Sequence, residues 1–133
     1  MKVYIAGKWN DKDKIGSIMD DYEKKGFIIT HRWNEYEADP NNKLGDMAAK
    51  DINAIQESDI VLVIMDDSVY EYRGTFTEMG AAIALKKDLI VYCPNEKAFC
   101  KTNCFFHHPH IQHCKTMKHA NDIMMELFNK KNE

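Results

Sequence analysis

Asp59-Ile60-Val61-Leu62-Val63-Ile64-Met65-Asp66 is an unbroken apolar run bracketed by acids. A strand wetted on one face alternates apolar with polar residues, so a run without alternation reads as a strand covered on both faces in a parallel sheet. Working outward, further strands fall at residues 3–6, 27–31 and 89–93, with a short fifth near Phe105 and Phe106. Helical stretches fill the intervals. They cover residues 13–25, closed by Gly26, and 43–57, after the turn-forming Asp39-Pro40-Asn41-Asn42. A third runs from 75 to 87, where Lys86 and Lys87 complement the helix dipole, and a fourth over 119–129 with Ile123, Met124, Leu127 and Phe128 as an apolar stripe. This alternation predicts right-handed βαβ crossovers and one α/β domain over residues 1–133. The expected architecture is a doubly wound, flavodoxin-like five-stranded parallel sheet, order 2-1-3-4-5, with helices on both faces. In that order the carboxyl ends of strands one and three adjoin, and the loops after Ala6 and Asp66 wall one cleft.

Composition narrows the function. A chain of 133 residues with 44% hydrophobic content can bury one core. The net charge of −3 and scattered lysines leave no basic stripe, so no nucleic-acid polymer is expected as partner. The chain opens on Met1-Lys2-Val3-Tyr4-Ile5-Ala6, read as a strand, and no apolar run reaches membrane-spanning length; a soluble, cytoplasmic protein without a membrane partner is the expectation. No Gly-x-Gly-x-x-Gly follows strand one and no Walker lysine motif occurs, which disfavours dinucleotide and nucleoside-triphosphate chemistry, and no cofactor is expected. The four cysteines read as reduced thiols. Three of them, Cys100, Cys104 and Cys114, lie near His107, His108, His110, His113 and His119. Cys100, Cys104, His113 and Cys114 have zinc-type donors but lack the short paired knuckles of a zinc site, and no metal is assigned.

Two carboxylates stand out. Gly74-Thr75-Phe76-Thr77-Glu78-Met79-Gly80 opens an alanine-rich helix after strand three, where the helix dipole favours an ionised Glu78. Gly74 is read as freeing the backbone before the turn, and Gly80, Ala81 and Ala82 as allowing close approach to the helix. The competing reading is a capping box in which Thr75 caps the helix and Glu78 reaches back to its amide. On the second helix Leu44, Met47, Ala48, Ile52 and Ile55 form one face with Asp51 in its middle. Desolvation there raises a carboxyl pKa toward values useful for proton donation, although a buried acid also serves structural networks. An anionic Glu78 nucleophile and a protonated Asp51 acid are the division of labour that cleaves a glycosidic bond with retention.

With these residues in place, the chain resembles the nucleoside 2-deoxyribosyltransferases and the related deoxynucleoside-monophosphate N-glycosidases over nearly its whole length. Val3-Tyr4-Ile5-Ala6-Gly7-Lys8-Trp9 is similar to the family's first strand and glycine loop, Asp51-Ile52-Asn53-Ala54-Ile55 to its acid-bearing helix, and Gly74-Thr75-x-x-Glu78-x-Gly80 to its nucleophile motif. The resemblance implies that Glu78 attacks the anomeric carbon of 2-deoxyribose, that Asp51 protonates and orients the leaving base, and that Tyr4 positions the nucleophile. It implies further that Gly7 and Gly74 line the substrate, that Trp9 lies beside the base, and that Asn103, nine positions after Pro94, completes a neighbouring subunit's sugar site in a homo-oligomer. One position departs from the pattern: Tyr72 stands where the family often carries a sugar-binding aspartate, and Asp66 or Asp67 is the nearest substitute.

The resulting expectation is a transferase that exchanges nucleobases on 2-deoxyribose, in nucleotide salvage. The alternative is a 2-deoxynucleoside 5-monophosphate N-glycosidase, with Lys8, Lys12 and Arg73 as candidate phosphate cations. A non-catalytic nucleotide-binding module on the same fold is a third reading.

Overall fold

The computed structural model describes residues 1–36 and 44–133. In chain order the elements are β1 (Lys2–Ala6), α1 (Lys12–Lys24), β2 (Ile28–Ile29), α2 (Leu44–Glu57), β3 (Ile60–Ile64), α3 (Arg73–Ala84), β4 (Asp88–Tyr92), β5 (Ile111–Cys114) and α4 (Met117–Lys131). Every pairing is parallel, and the order β2-β1-β3-β4-β5 is the one expected.

The run that opened the sequence reading is the centre of this sheet. All five β3 residues are buried between β1 and β4, with Tyr4 opposite Val61 and Ala6 opposite Val63. Full burial of each Val, Leu or Ile is worth roughly 1.5–3 kcal/mol, so the β1-β3-β4 centre supplies a rigid frame. α2 and α3 pack against each other as one layer. α1 and α4 form the other, joined by the Tyr22 hydroxyl donating to Asn121 and by Phe27 against Phe128 at 4.8 Å. Gly26 ends the α1 turn at φ +100, a conformation other residues rarely adopt, and a side chain there would meet Phe128.

Several features differ from the sequence reading, among them the end of α3 at Ala84, which leaves Lys86 and Lys87 beyond its last turn. The fifth strand is Ile111–Cys114, whereas Cys104–His107 is a 3-10 turn that buries Phe106 and exposes Phe105. β2 pairs over only two residues, as an edge strand with one neighbour. α3 begins at Arg73, behind a left-handed Tyr72, and not at Thr75. α2 turns Met47, Asp51, Ala54 and Ile55 toward the body, leaving Leu44, Ala48 and Ile52 exposed, because the i, i+4, i+7, i+8 stripe through Asp51 meets the sheet. The turn expected at 39–42 and the start of helix two at Lys43 lie outside the described residues.

Candidate active site

Tyr4 is a β1 residue that is almost wholly buried. Its hydroxyl reaches the layer formed by α2 and α3 and donates a hydrogen bond to Glu78 Oε2. Asp51, carried by a different helix, lines the same cavity, and its charge acts on the Tyr4 phenol. β1 fixes the phenol, β3 and its loop launch α3, and α2 supplies the second acid. Three elements distant in sequence thereby converge on one point.

Glu78 does not close a capping box. α3 starts two residues before Thr75, which is itself buried inside the helix, and the Glu78 carboxylate is committed to Tyr4. This places Glu78 in the second turn, beyond the reach of the dipole, which fades within the first. Burial therefore dominates, with the Asp51 charge adding to it and the Tyr4 bond opposing it, and the Glu78 carboxyl is pushed up to about 8. The expectation of a dipole-stabilised carboxylate is corrected: the unliganded site favours a protonated Glu78 below that pH. Burial also raises Asp51, while His31 and Tyr4 pull it back. Tyr4 itself is driven far above the usual phenol range by burial and by the two acids, so it remains a donor.

These groups border a cavity of about 150 Å³, a volume of the order that holds a single aromatic ring. Its walls are aromatic: Trp9, Trp33 and Tyr36 face it, with Met47 and Gly7 completing the surface. Trp9 and Trp33 stand 6.2 Å apart, and Trp33 is anchored by its indole N–H donating to the Ile5 carbonyl at 2.7 Å. A side chain at Gly7 would run into Ile15, so bare backbone is needed where this wall turns. His31 also lines the cavity, with Nδ1 at 3.0 Å from Asp51 Oδ1. Its neighbour Arg32 bonds Asp20, Glu23 and Glu35, which ties the segment carrying His31 and Trp33 to α1.

Of the residues singled out in the sequence, Tyr4, Gly7, Trp9, Asp51 and Glu78 gather here. Asp66, Gly74 and Asn103 do not border this cavity. Asp66 pairs with Lys14, and Asp67 with Lys8 at 2.5 Å. Gly74 and Gly80 have no neighbour within 4 Å of where a side chain would begin, so close packing within the chain demands neither glycine. Asn103 accepts from the Phe105 amide at 2.9 Å, capping the 3-10 turn. Tyr72 is buried, and its hydroxyl accepts from the Asp67 amide. The proposed zinc donors do not converge. Among the described residues no three His, Cys, Asp or Glu groups form a metal-holding cluster, and Cys100 instead packs 3.9 Å from Cys93. Among them, too, no helix is long and apolar enough to cross a membrane.

Sequence reading missed His31, Trp33, Tyr36 and Met47. The first two follow β2, and the rule that ligands gather outside the carboxyl ends of parallel strands applies to β2 as it does to β1 and β3. Tyr36 and Met47 carried no comparable signal.

Comparison with known proteins bears on the family and the fold. A family model described as nucleoside 2-deoxyribosyltransferase matches residues 3–132. Among solved structures, the CMP N-glycosidase of Clostridium botulinum superimposes with a TM-score of 0.60 at 19% identity, over 89% of this chain and 93% of that one. Compared with curated protein sequences, the chain finds no match.

Proposed function

The chain belongs to the nucleoside 2-deoxyribosyltransferase family, and on that premise we propose that it transfers 2-deoxyribose from one nucleobase to another through a covalent deoxyribosyl-Glu78 intermediate. The observation that carries this reading is the Tyr4 hydroxyl bonded to Glu78 and joined by a second half-buried acid, Asp51, in the wall of one aromatic cavity. A nucleobase in this cavity lies against the indole walls, with its sugar at the carboxylates. Glu78 forms a bond to the anomeric carbon as the glycosidic C–N bond breaks; the electron pair leaves with the base, which takes the Asp51 proton. An incoming base then attacks the same carbon, expels the Glu78 carboxylate and returns its proton to Asp51. The missing 2-hydroxyl of a deoxyriboside eases the approach to an oxocarbenium-like transition state.

The state of the three cations weighed for a 5-phosphate supports a nucleoside over a monophosphate. Lys8 is neutralised by Asp67, Lys12 rides 5.1 Å above Trp9, and the exposed Arg73 lies near Glu71. Each cation considered for a 5-phosphate is thus already engaged. Aromatic walls that exclude water favour transfer over hydrolysis, since the intermediate must survive until an acceptor base arrives. Asn103 is assigned to the sugar site of a neighbouring copy in a homo-oligomer, and Asp66 to a sugar hydroxyl after release from Lys14. The protein acts in nucleotide salvage in the cytoplasm.

Chromatography after incubation with thymidine and free adenine tests this, with deoxynucleoside monophosphates in parallel and Glu78→Ala as control. New deoxyadenosine is expected. Free base released from monophosphates alone would make the protein an N-glycosidase, and no Glu78-dependent product would make it a binding module.

A further inference from the structure

Cys93 directly follows β4, and Cys100 belongs to the 3-10 turn Phe99–Thr102. Both are buried free thiols, and their sulfurs lie 3.9 Å apart. Their access differs. A second cavity, of about 210 Å³ beyond the carboxyl ends of β4 and β5, is lined by Cys93 but not by Cys100. Lys101, His107, His113 and Lys115 line it as well, with Lys115 also paired to Glu96 at 2.7 Å. The cysteine- and histidine-rich segment thus gathers positive charge and imidazoles around one thiol.

Oxidation-sensitive cysteines sit in electropositive, accessible surroundings, with a second thiol close by to complete a disulfide. Cys93 has the first property, and Cys100 supplies the second. Burial, and then the neighbouring Cys93 sulfur, push the Cys100 thiol up to about 12, which keeps it protonated and a poor target for an oxidant on its own.

We infer that Cys93 and Cys100 form a reversible disulfide on exposure to hydrogen peroxide, and that this bond slows turnover. The Cys93 sulfur attacks one peroxide oxygen as its own proton is lost. The O–O bond breaks, Cys93 becomes a sulfenic acid, oxidised by two electrons, and the departing hydroxide takes up that proton as water. Cys100 then forms the S–S bond as the Cys93 S–O bond breaks, and the second hydroxide leaves with the Cys100 proton as water. One peroxide is reduced and two thiols are oxidised. A dithiol reductant reverses the bond by exchange.

Closure has a mechanical consequence. A disulfide holds its sulfurs about 2.05 Å apart, so the 3-10 turn is drawn toward the end of β4. The residues between are tied to the segment that launches α3: Asn95 Nδ2 donates to the Asp66 carbonyl at 3.0 Å, and the Phe99 amide to the Ser68 carbonyl at 2.8 Å. Movement of this loop therefore reaches the helix that presents Glu78. The bond itself stands on the thiols and their surroundings, whereas its effect on turnover rests on the proposed transferase reading.

Cys104 is exposed and is removed first, as Cys104→Ser, to leave the buried thiols. After peroxide treatment the thiol count of the denatured protein should fall from three to one. Trypsin should then release residues 88–97 joined to 98–101. Dimedone should label Cys93 in Cys100→Ser, and should leave Cys100 unlabelled in Cys93→Ser. Base exchange between thymidine and adenine should drop roughly tenfold on oxidation, return with dithiothreitol, and resist peroxide in Cys93→Ser/Cys104→Ser. Three thiols surviving a peroxide dose that oxidises Cys104 in the unsubstituted protein would overturn the inference, as would a dimedone label on Cys100. A disulfide form with full activity would overturn its regulatory half. The linked peptide from a protein that exchanges no base would support the disulfide and sink the transferase reading alone.

Discussion

The Tyr4 hydroxyl on β1 donates its hydrogen bond to the Glu78 carboxylate on α3, 74 positions later in the chain. That bond favours the ionised form of Glu78 against burial and the Asp51 charge, which both oppose it. Removing it in Tyr4→Phe should move the Glu78 midpoint upward and lower kcat about 10- to 100-fold near neutral pH, with a smaller effect on KM. Carboxyl 13C titration of labelled glutamate, followed beside steady-state rates, checks both parts; an unchanged midpoint would separate Tyr4 from the nucleophile.

The pH profile follows from the same two acids. In the proposed mechanism Glu78 attacks ionised and Asp51 donates protonated, so kcat/KM should be bell-shaped, with one limb near the Glu78 value of about 8. Asp51→Asn removes a like charge, so the Glu78 midpoint falls, while kcat drops by about 10²–10⁴ through loss of the acid. Rates and glutamate titration across pH 5–10, roughly the span of both groups, decide this; an upward movement in Asp51→Asn would contradict the electrostatic ordering.

Stability carries the opposite signature. The Glu78 value is raised from 4.5 to about 8 on folding, so the native state binds the extra proton between those limits. Its contribution is fully present below the unfolded value and is lost as pH rises through the folded one. The site therefore costs stability at alkaline pH, of the order of 5 kcal/mol at most from a shift of this size. Glu78→Gln keeps an acceptor for Tyr4 and removes the buried charge. Its gain in unfolding free energy should be larger at about pH 9 than at about pH 4, values chosen to lie outside the titration window. Urea titrations at both values measure it, and an equal gain at each would place the strain elsewhere.

The proposed reading also predicts the response to a 5-phosphate. Asp66 neutralises Lys14, whose ammonium feels the charge of Lys8. Asp66→Asn should free that cation and raise kcat/KM for deoxynucleoside monophosphates about tenfold relative to the nucleosides. A ratio unmoved by the substitution would show that Lys14 does not face the sugar.

The sheet was legible because β3 lacks any alternation, and nothing but two-sided burial accounts for eight residues such as Asp59-Ile60-Val61-Leu62-Val63-Ile64-Met65-Asp66. Asp51 and Glu78 were legible as an acid pair, and Tyr4 through the family resemblance alone, although their protonation was not legible. Helix register on paper put Glu78 in the first turn, whereas the left-handed Tyr72 starts the helix earlier and moves it to the second. The Asp51 face was misdrawn for a related reason: Leu44 and Ile52 are apolar but exposed, and only tertiary contact selects which stripe turns inward. His31 was invisible because its partner, Asp51, lies 20 residues away. Phe105 and Phe106 look like a strand locally, yet Asn103 caps a turn there.

The central claim, a covalent bond between Glu78 and the sugar, is tested most directly by stereochemistry. Proton NMR of deoxyadenosine formed from thymidine and adenine reads the configuration at the anomeric carbon. Two displacements through Glu78 predict the β-anomer alone, and no product from Glu78→Ala. The α-anomer, or undiminished β-product from Glu78→Ala, would contradict the account.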